Sequence, residues 1–461
     1  MSLLPNDQRQ LLHKCLLKYV RNHSSKSELD SLPGTEKIDE NVVMRTLAMW
    51  LDVDLESLDD KEKPVDASLL PRKWNSIVRL QRRIIELEKQ IQELTQENET
   101  LMNEGPVSLA SKSSLTWVPR DQSKININCG ASVSSVKLHP ELPLLFAATD
   151  SGKLLCYDIM NSSMPTVSVQ AHMRGITSID VIMSEKTECF VVTSSKDLYC
   201  KVFRLVESEL QPIRSLAGHE HVVSQVRIWK QGSDTLVATC SRDLTCKVWD
   251  VSNGWCLTSF QPHSEWVRSL DVMGDYIVTG SNDCTVRLSH WQSGRGLSNG
   301  IGHTFPIERV KIIPMLQSDS VADEVRTVYN TYDEAYVNLG FSHVVTASRD
   351  NTIRIWQVPL PKFVAHRPPQ PDQTRQHFSL VTILKGHTSW VRDLCIRGNY
   401  LLSCGDDRTI RVWNLSTGEI ARVISSSHDG FVNCIHTDGN GLIRQIMASG
   451  CADGKVRVFI K

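Results

Sequence analysis

At 461 residues the chain is too long for one ordinary domain. Hydrophobic content of 41% and charged content of 22% place it with globular rather than disordered chains, and a formal net charge of −1 argues against a global field for nucleic acid or membrane. No run of 18 apolar residues and no signal-peptide pattern occurs, and the 13 cysteines, without a C-x-x-C pair, read as free thiols of a reducing compartment.

Up to about residue 105 the periodicity is helical. Residues 7–20 form a short amphipathic helix with Leu11, Leu12, Cys15, Leu16, Tyr19 and Val20 on one side, and a second helix runs from about Glu40 to Leu51. So small a unit, spanning 1–70, buries little core alone, and pairing with its own copy is the natural remedy. A coiled coil is expected over 71–104, where residues 77–101 carry a heptad. Its a positions hold Ile77, Ile84, Ile91 and Asn98; its d positions hold Leu80, Leu87, Leu94 and Leu101. Ile at a with Leu at d favours parallel two-stranded coiled coils, and one Asn at a fixes register and strand number at some loss of stability. Arg83 at g and Glu88 at the following e attract across a parallel pair. The rod from Pro71 to Glu104 would be roughly 50 Å long. A small, polar linker follows at 105–112.

From residue 113 to 461 the pattern changes to short period-two runs such as KVWDV and IRIWQV, repeating every 40–47 residues or so, as in the blades of a β-propeller. Six histidines open their units: His172, His219, His263, His303, His387 and His428. Six aspartates mark tight turns: Asp197, Asp243, Asp283, Asp350, Asp407 and Asp453. Four residues before each Asp stands Thr or Ser (Thr193, Thr239, Thr279, Thr346, Ser403, Ser449), and six after it an aromatic residue, except at Ser289. These residues resemble the WD-repeat family, which implies a hydrogen-bond relay tying the strands of each blade. A degenerate first unit, with the turn Asp150-Ser151-Gly152, brings the count to seven. The last unit is one strand short of four, and Leu115-Thr116-Trp117-Val118 is expected to supply that strand and close the ring. The run Gly294 to Gly300 reads as a turn between blades, not as a dinucleotide loop.

No catalytic motif is present: there is no H-E-x-x-H, no G-x-S-x-G and no phosphate-binding loop. One histidine per blade cannot converge on a metal, so neither metal nor cofactor is expected. Binding is the remaining chemistry. The histidine-bearing loops and the aspartate turns share one rim of a propeller. Beside them stand Arg242, Arg349 and Arg408, then Trp266 with Arg268 and Trp390 with Arg392. All belong to blades three to six. Arg and Trp are typical of binding hot spots, and Arg can fork onto carboxylates, so an acidic protein surface is the inferred ligand. Single-stranded nucleic acid competes in principle, but wider positive charge is lacking.

The whole layout resembles the lissencephaly or nuclear-distribution (NudF-type) family, nearest its fungal branch. The likeness is carried by LLPRKWNSIVRLQRRIIELE (69–88), SLAGHEHVVS (215–224), FQPHSEWVRSLDV (260–272), GHTFPIERVK (302–311), PLPKFVAHRPPQP (359–371) and LKGHTSWVRDL (384–394). The resemblance implies a LisH-like dimerisation unit at 1–70, a coiled coil at 71–104 and a seven-bladed propeller. It implies a non-catalytic regulator of cytoplasmic dynein, acting at microtubule plus ends and the spindle pole in nuclear migration and spindle positioning. The implied partners are the dynein heavy chain, a NudE-type coiled-coil adaptor, microtubule plus-end proteins and a second copy of the chain, with no nucleic acid and no membrane. Matching positions imply a motor-ring contact at Arg242, Arg268, Arg349, Trp390 and Arg408, the last where a lysine can stand. They imply a stalk contact at Ser215, Glu220 and His221 of the third blade. The alternative is a different WD-repeat adaptor with a helical stem, such as a corepressor, which predicts a nuclear tetramer. The insertions at 316–340 and 359–372 find no role in either reading.

Overall fold

The computed structural model describes residues 118–460, apart from 162–163, 184–187, 207–208, 316–328, 331, 365, 426 and 438–445. The helical unit of 1–70, the coiled coil of 71–104 with its heptad from Ile77 to Leu101, the linker at 105–112 and most of the 316–340 insertion lie outside the described residues.

Alternating runs with tight turns between them pair as hairpins, and the described residues form seven four-stranded antiparallel sheets. Blades one to six each use four consecutive strands. Their innermost members are Val133–Leu138, Ile176–Met183, Val223–Gln231, Val267–Met273, Ile307–Pro314 and Val391–Arg397. Blade seven takes Val432–Thr437, Ile446–Cys451 and Lys455–Ile460 from the chain's end. Its fourth strand is Ile125–Asn128, pairing from Ile125 opposite Val458 to Asn128 opposite Lys455. Ring closure therefore holds, but not through Leu115 to Val118. Val118 only packs half-buried against the cluster between blades six and seven, and Pro119 accepts a bond from Arg422. The degenerate first unit is a full blade. The run after Gly294 is no turn either: Arg295–Ile301 is the outer strand of blade four.

The buried apolar residues form clusters that each lie between two neighbouring blades, from blades one and two round to seven and one. In the second strand of blade three, Val237 faces blade two, while Leu236 and Ala238 face blade four. Period two thus serves both faces of one sheet, and such strands read as nearly continuous apolar runs. Inner strands are also laced together: Asp180 accepts the Ile228 amide of the next blade, Asp271 that of Ile312, and Asp393 that of Ile435, at 3.0–3.1 Å. They line a central channel of about 920 Å³. Residues 359–372 leave the third strand of blade five as a loop closed by Lys362 against Gln370, after which His377 and Phe378 bond Asn299 of blade four.

Candidate functional site

The site is built on the relay. In blade three, His219 places Nδ1 2.7 Å from Asp243 and Nε2 2.8 Å from Thr239 Oγ1, and the Trp249 indole N–H donates to the same hydroxyl. Blades five and six repeat this with His303, Asp350, Thr346 and Trp356, and with His387, Asp407, Ser403 and Trp413. Blades two and four keep the His–Asp and His–Thr links, with Phe203 and Ser289 supplying no indole. Burial raises the Asp407 carboxyl, but bonds from His387 and Thr409 outweigh it and hold the pKa at about 2. Asp243, Asp283 and Asp350 are held lower still by the same means. Burial keeps His172 and His303 below the ordinary imidazole value despite their aspartates.

Each relay locks a loop to a turn. The residue just before the inner strand accepts an amide from the turn: Val222 from Arg242, Trp266 from Asn282, Pro306 from Arg349, and Trp390 from Asp406. The first turn residue and the second inner-strand residue therefore stand side by side at the mouth of the channel. In blades three to six the second inner-strand residues are Ser224, Arg268, Glu308 and Arg392; in blades one, two and seven they are Ser134, Thr177 and Asn433. At the second inner-strand position arginine is confined to blades four and six of the arc that the repeat spacing picked out, while at the first turn position blade two also carries a basic residue, Lys196, tied to Asp150.

The side chains there interlock. His221 packs on Trp266 at 6.0 Å between ring centroids, and the Arg242 guanidinium lies 4.8 Å over the same indole. Arg268 donates from Nε to Asn282 at 2.5 Å and from Nη1 to Glu308 Oε2 at 3.3 Å, with Glu308 Oε1 3.2 Å from the same nitrogen. Arg349 donates from Nε to Glu308 and lies 4.1 Å over Trp390. Arg392 lies 5.2 Å from Trp390 and grips Asp406 through two bonds of 2.7 and 2.8 Å. Burial and the repulsion of Arg349, Arg242 and Arg392 draw the Arg268 pKa down in spite of Glu308. Glu308 is raised by burial, but Arg268 and Arg349 outweigh this and keep it ionised. Arg408 is exposed one residue past Asp407, in a left-handed conformation (φ 63°) that its relatives in the turn, Leu244 and Asn351, also adopt.

Four of the five residues expected at the motor-ring contact, Arg242, Arg268, Arg349 and Trp390, thus stand on one rim, with Arg408 on the adjoining turn. Of the stalk set, Glu220 and His221 are exposed in the loop that opens blade three. Ser215 lies on the outer strand of blade two, opposite Lys201, not in blade three. His221 joins the two sets through Trp266. Sequence reading left out Glu308, Asn282 and Asp406, although Glu308 occupies the same strand position as Arg268 and Arg392.

His428, Cys451 and Asp453 come within 4.8 Å of one another, the spacing of metal ligands. The Arg457 guanidinium fills that space, with Nη1 2.6 Å from His428 Nδ1 and 3.0 Å from Asp453. A second cation there would meet a buried positive charge, so the cluster is a variant relay.

Residues 210–250, 254–288, 322–357, 378–414 and 419–459 match the model of the WD domain, G-beta repeat. A protein of Lachancea thermotolerans called nuclear distribution protein PAC1 is 60% identical over 461 residues, covering all of both chains. The chain belongs to the nuclear distribution family, of lissencephaly or NudF type. Other members of this name are 44% identical in Eremothecium gossypii, over 100% of this chain and 99% of that one. In Saccharomyces cerevisiae the figure is 48% over 86% of this chain and 84% of the other. Among the described residues of this family member, no helix is long and apolar enough to cross a membrane.

Proposed function

We propose that the chain is a non-catalytic, dimeric regulator that binds the cytoplasmic dynein motor domain and controls its microtubule attachment and plus-end targeting. Its setting is the cytoplasm, at microtubule plus ends and the spindle pole, in nuclear migration and spindle positioning. A NudE-type adaptor and plus-end proteins complete its partners. The name of its relatives supports the nuclear-distribution role.

One observation carries the binding claim: arginines and tryptophans from Arg242 to Arg392 gathered on one rim of blades three to six, with Asn282, Glu308 and Asp406 bonded among them. Arginine stacked on an indole keeps its forked donors while its apolar face is covered, the state in which it meets a carboxylate at little entropic cost. The motor ring meets Arg242, Arg268, Arg349, Trp390 and Arg408; the stalk meets Ser215, Glu220 and His221. Changing Arg242, Arg268 and Arg349 together to Ala should weaken motor binding about 30-fold or more, roughly 2 kcal/mol, the scale of an interface hot spot. Equilibrium binding to a purified dynein motor domain measures it. Undiminished affinity in the folded variant would remove this surface from the motor contact.

A further inference from the structure

Resting on that reading of blades three to six, we propose that Glu308 is the positioning residue of the arginine surface: a buried carboxylate that fixes Arg268 and Arg349 in the poses they present to an acidic partner.

Glu308 is the second residue of its inner strand, and the blades on either side carry Arg268 and Arg392 at that position. Its side chain is 10% exposed, beneath Arg349 at 22% and level with Arg268 at 14%. Arg268 reaches both its oxygens, and Arg349 bonds one of them through Nε. That bond leaves the terminal amino groups of Arg349 for a partner, while its plane rests on Trp390. Without the carboxylate, Arg268, Arg349 and Arg392 would be like charges crowded at one channel mouth, and repulsion would drive them apart. A surface whose donors are already fixed loses less freedom on binding.

Charge alone and positioning predict opposite outcomes. Removing an acid from a surface that binds acids should strengthen binding if only net charge matters. If Glu308 positions the fork donors, its removal should weaken binding. Rate constants separate the two, because steering acts on association and fitted contacts act on dissociation.

The test is surface plasmon resonance of the full chain on an immobilised dynein motor domain, with thermal melting of each variant beside it. Glu308→Gln is expected to associate as fast as wild type or faster at low salt. It should dissociate about 30-fold faster, leaving affinity about tenfold weaker if association speeds about threefold and about 30-fold weaker if it does not. A role in folding alone would not speed association. Glu308→Asp keeps the charge one methylene short and should dissociate about threefold faster, on the scale of a modest positional change. Wild-type dissociation by Glu308→Gln, with binding lost in the Arg242, Arg268 and Arg349 triple variant, overturns this inference alone. Undiminished binding by the triple variant overturns both it and the motor-surface reading. Should Glu308→Gln melt early, wild-type dissociation by Glu308→Asp overturns the inference instead.

Discussion

A single arginine reverses one hydrogen-bond relay. In blades two to six, the histidine donates from Nδ1 to its aspartate and receives the Thr or Ser hydroxyl at Nε2. In blade seven, Arg457 donates to His428 Nδ1, so Nε2 must carry the proton and donate to Ser449. Burial, followed by the Arg457 charge, pushes the His428 pKa down to about 4. The unfolded imidazole titrates near 6.5. Above that pH both states are neutral there and the group is neutral in the balance. As pH falls from 6.5 to 4 the unfolded chain gains a proton that the folded chain refuses, so stability is lost in that window, by about 3 kcal/mol. His428→Asn removes this proton linkage. Urea unfolding at pH 7.5 and pH 4.5 should therefore show any wild-type advantage over the variant shrinking towards the lower pH. A constant difference would disprove the linkage. Spacing alone could not have shown this, since Ser449 stands four residues before Asp453, as the hydroxyl does in blades two to six, and His428 opens its unit as the other histidines do.

The strand that closes the ring shows where sequence legibility stops at the level of elements. Leu115-Thr116-Trp117-Val118 and Ile125-Asn126-Ile127-Asn128 are both short alternating runs just ahead of blade one. Nothing local separates them, because the choice is made by a partner strand more than 300 residues away. Ile127 settles it: its side chain is 2% exposed in the cluster between blades seven and one. Deleting residues 1–117 should therefore leave the propeller's melting temperature near that of the full chain. Deleting residues 1–129 strips the outer strand, exposes the edge at Lys455–Ile460 and forfeits the burial of Ile127, roughly 2–3 kcal/mol. The melt should fall by about 5 °C or more, with aggregation at the open edge. Equal melting of the two truncations would show that another segment closes the ring. The arginine arc was more legible than the closure, because the repeat fixes the blade and rim of each residue. Arg242, Arg268, Arg349 and Trp390 could be placed from spacing alone. Glu308 was missed because the reading looked for one sign of charge, while a crowded set of arginines requires an opposite charge within it.

At the scale of the whole molecule, a net charge of −1 does not prevent a local gathering of arginines on one rim of the propeller. Each blade is held only by its neighbours, as in other repeat folds, so the ring offers a rigid rim on which one arc can be basic without unbalancing the rest. The heptad from Ile77 to Leu101 would give each assembly two such rims. Changing Ile84 and Leu87 together to Asp puts charges at a and d of one turn, and the sedimentation mass should fall to one chain. A retained two-chain mass would show that another element makes the pair. The consequence for binding depends on partner density. On sparsely immobilised motor domains each ring acts alone, so the variant and wild type should bind equally. On a dense layer the second ring of a pair rebinds at high local concentration, and wild type should be retained up to about 100-fold longer than the monomeric variant. Equal retention of a one-chain variant on the dense layer would mean that pairing serves something other than motor capture. In the proposed pair, Asn98 at an a position would then have a use, fixing the register of the two chains at some loss of stability.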